Sequence, residues 1–125
     1  MNILSIDYGE RYLGLAVYVT KSNTKFALKI VDTKKSDLIA VLKNVVSEYS
    51  ISKVAVGYPI GLNNNPTRMS GLTDEFIKNI LLNKLDIDVI KVDERMTSSV
   101  VTKSNKERID DISALEILET YLSNV

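Results

Sequence analysis

Hydrophobic and polar positions change rhythm along this chain, and the changes mark its elements. Ile3 to Ile6 reads as a strand, ended by Asp7-Tyr8-Gly9. From Tyr12 to Val19, Leu13, Leu15 and Val17 alternate with Gly14, Ala16 and Tyr18, the period-two pattern of a second strand. Lys21-Ser22-Asn23-Thr24 is a turn. Phe26 to Val31 alternates again, so three strands joined by short loops predict an antiparallel meander.

The period then lengthens. Leu38, Ile39, Leu42, Val45, Val46 and Tyr49 recur at helical spacing, with Ser36 as the expected cap. Ser52 to Val56 is an apolar strand closed by Gly57-Tyr58-Pro59. Asn63-Asn64-Asn65-Pro66 is a loop, and Thr67 is expected to cap a second helix running to about Leu85, with Leu72, Phe76, Ile80 and Leu81 inward. Asp88 to Val92 is a fifth strand, and Ser98 to Lys103 has the pattern of a short helix. Asp110 to Leu122 is the last helix, with Ala114, Ile117, Leu118, Tyr121 and Leu122 on one stripe. The order is β-β-β-α-β-α-β-α. Strands that alternate with helices need crossovers, so the later strands should run parallel to the first. The expected fold is α/β: a mixed five-stranded sheet with helices on both faces, one domain over residues 1–125.

Composition narrows the chemistry. The chain has no cysteine and no histidine. That excludes disulfides, thiolate or imidazole zinc sites, and Ser-His-Asp hydrolysis. A catalyst built here must use carboxylates or a metal held by oxygen, and hard oxygen ligands suit magnesium or manganese. No run of apolar residues is long enough to span a membrane, and the start Met1-Asn2-Ile3-Leu4 enters a strand directly, so the expected location is the cytoplasm. Sixteen basic residues balance sixteen acidic ones, which argues against a nucleic-acid binder. The cations are clustered, however. Lys21, Lys25, Lys29, Lys34 and Lys35 face only Asp32 in their stretch, and Lys103, Lys106 and Arg108 form a second group. Lysine runs are as often plain solvated surface as binding surface.

In such sheets ligands bind beyond the carboxyl ends of parallel strands. Asp7 ends the first strand beside Gly9; its ordinary alternative is a turn cap. Asp93-Glu94-Arg95 follows the fifth strand; its alternative is a salt-bridged loop. Asp110-Asp111 opens the last helix, where acids belong for capping and dipole reasons. Asp110 shares a face with Ala114, Ile117 and Tyr121, whereas Asp111 borders the same stripe, and spacing does not choose between them. Three carboxylates at one place would repel one another, and a divalent cation removes that penalty while activating water and steadying phosphodiester charge.

These segments resemble the YqgF family of Holliday junction resolvase-like proteins, also described as candidate pre-16S rRNA nucleases. The matching pieces are Ile6-Asp7-Tyr8-Gly9 with Leu13-Gly14-Leu15-Ala16-Val17, then Val56-Gly57-Tyr58-Pro59, Asp93-Glu94-Arg95-Met96-Thr97-Ser98, and Ile109-Asp110 with Ser113-Ala114, Ile117-Leu118-Glu119 and Tyr121-Leu122. The resemblance implies an RNase H-like fold, with Asp7, Glu94 and Asp110 as catalytic and metal-binding acids and Mg2+ or Mn2+ as the cofactor. It prefers Asp110 to Asp111 because the family's acid follows the Ile109-like position. It implies phosphodiester hydrolysis in structured RNA, maturing the 5′ end of pre-16S rRNA during ribosome biogenesis, or in branched DNA. Arg11, Lys21, Lys25 and Arg95 are the candidate nucleic-acid contacts. Three departures bear on substrate choice. Asn64 stands where the family usually has glycine; Leu72, Asp74 and Glu75 stand where the second helix often carries Arg or Lys; and the stretch between Thr97 and Asp110 is short.

Two other classes compete. A nucleic-acid-binding or ribosome-assembly module would bind in a salt-sensitive way without cleaving. An actin-like phosphotransferase also uses Asp-x-Gly after a first strand, but pairs two such domains where 125 residues supply one. Junction cleavage would favour a homodimer, whereas RNA trimming needs only a monomer.

Overall fold

The computed structural model describes residues 2–59, 68–93 and 111–123. Five strands form one sheet: β1 (Asn2–Tyr8), β2 (Tyr12–Val19), β3 (Thr24–Asp32), β4 (Ile51–Tyr58) and β5 (Asp88–Asp93), in the order β3-β2-β1-β4-β5. β1 pairs antiparallel with β2, and β2 with β3, as hairpin neighbours must. β1 pairs parallel with β4, and β4 with β5, because a helix intervenes each time. The mixed sheet expected from the alternation of periods is the one observed.

Side-chain parity divides the sheet into two faces. Leu4 and Ile6 of β1, Leu13, Leu15 and Val17 of β2, and Val54 and Val56 of β4 are buried on one face. They pack against Leu42 and Val45 of α1 (Leu38–Glu48) and Phe76 of α2 (Arg68–Phe76). Each such leucine or isoleucine contributes ~1.5–3 kcal/mol by leaving water. The other face is narrower. Ala16, Ala55 and Val92 lie beneath Ala114, Ile117 and Leu118 of α3 (Asp111–Ser123). The small row Ala16–Ser5–Ala55 lets α3 come close, and Ser5 Oγ donates to the Ala114 carbonyl at 2.6 Å. Lys25 Nζ lies 3.9 Å from Glu119 Oε2, further along α3 and level with the start of β1. The helix therefore runs opposite to β1, with its N-terminal end toward Asp7.

Several boundaries differ from expectation. Asp37, not Ser36, caps α1, its carboxylate accepting from the Ala40 N–H at 3.3 Å. Asp37 directly precedes the first helical residue, so its carboxylate reaches the open amides where Ser36, one residue further back, does not. The second helix does not run regularly to Leu85: it loosens into a π-helical segment over Ile77–Leu82, which turns Ile77 and Leu81 inward. Leu72 is only half-buried, whereas Ser70 and Thr73 are buried, because their hydroxyls find carbonyl partners in Pro59 and Met69. Thr67 and the helix expected at 98–103 lie outside the described residues. The strands also reach further than expected. β1 includes Asp7 and Tyr8, and Tyr8 stacks on Phe76 with ring centroids 4.6 Å apart.

Candidate metal and nucleic-acid site

Asp7 is not a turn residue. It lies within β1, opposite Gly14 of β2, and is only 5% exposed. Parity sets it on the α3 face, two residues beyond Ser5. On its other side the register pairs Ile6 with Val56, so Gly57 of β4 lies level with Asp7, and Gly57 in turn pairs with Val92 of β5. Across this face the row reads Gly14, Asp7, Gly57, Val92. A carboxylate thus stands at the strand ends with no side chain on either flank. The glycines put only backbone beside the acid in the two neighbouring strands, the arrangement that suits close approach of a ligand to the main chain. A hard carboxylate oxygen at such a position is a fitting donor for magnesium or manganese.

Glu94, Arg95 and Asp110 lie outside the described residues. Glu94 directly follows Asp93, the last residue of β5, and Asp110 directly precedes Asp111, the first of α3. Among the described residues no three histidine, cysteine, aspartate or glutamate side chains gather into a metal-holding group. Asp7 is the one member of the expected trio that is described.

Among the described residues, the rim around Asp7 carries two arginine–carboxylate pairs. Arg68, the first residue of α2, donates from Nη1 and Nη2 to the two carboxylate oxygens of Glu10 at 3.0 and 2.8 Å. Glu10 follows β1 by two residues, so this pair ties the β1–β2 turn to α2. Arg11 donates to both carboxylate oxygens of Asp32 at 3.3 Å, and its guanidinium lies 5.2 Å from the centre of the Tyr12 ring. The Arg68 hydrogen bond holds the Glu10 carboxyl below its ordinary range, and Arg11 does the same for Asp32. Exposed Lys34 and Lys35 follow β3 at this same end.

Lys21 and Lys25 are elsewhere. Val19 pairs with Asn2, so the β2–β3 turn sits at the start of β1, five residues from Asp7. That is ~17 Å away along the strand. The structure brings Arg11 to the rim of the Asp7 site and sets these two lysines at the opposite end of the sheet. Arg68 was not among the sequence-based candidates. Its only signal was its place just after Asn65-Pro66-Thr67 at a helix start, and its pairing with Glu10 spans 58 residues.

On the other face, Tyr58 donates to Asp74 at 2.7 Å, and Lys91 Nζ donates to the second oxygen of Asp74 at 2.8 Å while sitting 4.5 Å from the Tyr58 ring centre. The lysine holds the Asp74 carboxyl low, and the bond to Asp74 pushes the Tyr58 hydroxyl up. This tie joins α2 to the ends of β4 and β5. Asp74, an apparent departure toward acidity on α2, is therefore a structural partner of two strand residues.

No described helix is long and apolar enough to cross a membrane. Comparison with known proteins gives a consistent picture. The family model for RuvX, described as Holliday junction resolvase, matches residues 1–124. A protein of Ruminiclostridium cellulolyticum named "Putative pre-16S rRNA nuclease" is 33% identical, the match covering 100% of this chain and 96% of that one. One of the same name from Sulfurihydrogenibium sp. is 36% identical over 98% of this chain and 90% of its own. Among solved structures, T. thermophilus RuvC in complex with Holliday junction substrate superposes with a TM-score of 0.58 at 12% identity, covering 99% of this chain and 96% of that one. The fowlpox virus Holliday junction resolvase gives 0.56 at 17% identity over the whole of both chains. At these identities the two structures speak for the fold, which is the RNase H-like arrangement expected.

Proposed function

This chain belongs to the RuvX family of Holliday junction resolvases, and on that premise we propose that it is a divalent-cation-dependent nuclease that hydrolyses phosphodiester bonds at the 5′ end of pre-16S rRNA in the cytoplasm. RNA is preferred to branched DNA because the relatives similar over nearly the whole chain carry the pre-16S rRNA name. Residues 1–125 act as one nuclease domain.

The observation that carries the reading is the row Gly14, Asp7, Gly57, Val92: a buried carboxylate at the parallel strand ends, flanked in register by two glycines. Two further features support Glu94 and Asp110 as its partners. Val92, two residues before Glu94 in the sequence, lies on the α3 face. Ser5 meets α3 at Ala114, four residues after Asp110 in the sequence, and two residues on along β1 is Asp7. From that contact β1 runs on toward Asp7 and α3 runs back toward Asp111, so the described parts of both segments head for the same edge. Asp7, Glu94 and Asp110 would hold magnesium or manganese. When bound, such a cation supplies Lewis acidity and neutralises charge on the scissile phosphate.

The protein's own part is positioning. The flanking glycines admit the sugar-phosphate backbone to the Asp7 carboxylate. Arg11 at the rim, with Arg95, provides sequence-independent phosphate contacts. Lys21 and Lys25 would add to these only for a substrate running the length of the sheet.

The test is cleavage of pre-16S rRNA fragments and of a four-way DNA junction with magnesium or manganese, using Asp7→Asn as control. Wild type should cut and Asp7→Asn should not, with circular dichroism and thermal midpoint close to wild type. Equal cutting by the two proteins refutes the role of Asp7. Salt-sensitive binding with no cleavage under either ion would favour the assembly-module reading.

A further inference from the structure

The rim pair Glu10–Arg68 has the geometry of a phosphate clamp that is already filled. Arginine recognises carboxylate and phosphate by the same two-pronged arrangement, one N–H to each of two oxygens. Here the two oxygens belong to Glu10, at 3.0 and 2.8 Å. The Arg68 side chain is 70% exposed and that of Glu10 52%, so a polyanion from solvent can reach the guanidinium. Fold stability does not require the pair, because an exposed ion pair contributes little. Position argues for more. Glu10 lies three residues beyond Asp7, at the same end of the sheet. The rest of α2 offers little to a phosphate: Asp74 is engaged with Lys91 and Tyr58, Glu75 is exposed and anionic, and Arg68 is the one cation within Arg68–Phe76.

The geometry points to Arg68 as a nucleic-acid phosphate contact that Glu10 occupies until substrate displaces it. The proposal rests on the nuclease reading above and adds to it a residue and a control on binding. A phosphate oxygen pair takes the place of the carboxylate oxygens on the same two N–H groups, and Glu10 turns to water. Glu10 thereby acts against weak, indiscriminate binding, since a polyanion must compete with it for the guanidinium. The same arrangement recurs between Arg11 in the β1–β2 turn and Asp32 at the end of β3, which shows how a chain of zero net charge can keep arginines at its working edge.

The experiment is a thermodynamic cycle on the full chain. Binding of a fluorescent four-way DNA junction and of a stem-loop RNA is measured in chelator, where nothing is cut, across ~50–200 mM salt. Arg68→Gln should weaken binding by about fivefold and lower the slope of log affinity against log salt by about one. Glu10→Gln should tighten binding by a similar factor, and most of that gain should vanish in the Glu10→Gln, Arg68→Gln double variant. A Glu10→Gln protein that binds more weakly, as Arg68→Gln does, would show a merely structural tie and overturn the proposal. So would an Arg68→Gln protein with wild-type affinity and slope, while wild-type binding itself would leave the nuclease reading standing. A wild type that binds neither probe at any salt overturns both. Thermal midpoints near wild type for all three variants exclude unfolding as the cause.

Discussion

Ser5 is the position where packing and the site meet most directly, and its replacement can be worked through. It is fully buried, flanked by Ala16 and Ala55 that are equally buried, and its hydroxyl donates to the Ala114 carbonyl at 2.6 Å. Ser5→Ala removes that bond and little else, at a cost of ~1 kcal/mol. For 125 residues the unfolding entropy is ~0.26 kcal/mol/K, so the midpoint should fall by ~4 °C. Ser5→Leu loses the same bond and forces three more carbons between β1 and α3, where the alanine row leaves no slack. Overpacking costs ~1–3 kcal/mol in addition, giving a fall of ~8–15 °C. Because α3 meets β1 at this point, two residues from Asp7, Ser5→Leu should also weaken stabilisation by millimolar magnesium or manganese, whereas Ser5→Ala should keep most of it. Differential scanning calorimetry with and without the cation reads both quantities. A Ser5→Leu protein melting within ~2 °C of wild type would refute the claim that α3 is held close by the small row.

Acid should destabilise the protein in a defined window. Glu10, Asp32 and Asp74 are all held below their ordinary carboxylate range by Arg68, Arg11 and Lys91. The unfolded chain therefore binds more protons, and stability present above the unfolded carboxylate range near ~4 should be lost as pH falls through the lower folded values. Because the pairs are exposed, the loss should be modest and should shrink in high salt; chemical denaturation at stepped pH and two salt concentrations checks this. At Gly57, substitution by valine suits a strand but places a branched side chain beside Asp7. Gly57→Val should fold and lose most cation-dependent cleavage, and wild-type cleavage by that variant would show that the glycine flank is not needed.

The chain's own pattern determined much of this protein. The shift from period two to helical period gives the element order, and order with crossovers gives parallel β1, β4 and β5 with their carboxyl ends at one edge. The absence of histidine and cysteine restricted the chemistry to oxygen ligands, and Asp7 stood out because it closes the first strand. The stripe Ala114, Ile117, Leu118 on α3 was likewise legible, since helical spacing alone selects it. Other features depend on contacts between distant segments, which local pattern does not encode. Nothing in the spacing of Gly14 and Gly57 says that they flank Asp7; register across three strands does. Nor does the lysine-rich stretch reveal that Lys21 and Lys25 fall at the far end while Arg11 falls at the site, because a hairpin reverses direction and sends its turn away from the strand end that carries the acid. Arg68 and Glu10, 58 residues apart, become a pair only when α2 is laid against the sheet. Asp74 looked like a lost phosphate contact and is a tie to Tyr58 and Lys91. Periodicity reports which residues leave water, whereas polar partnership depends on where each polar group finds its complement once the chain has folded.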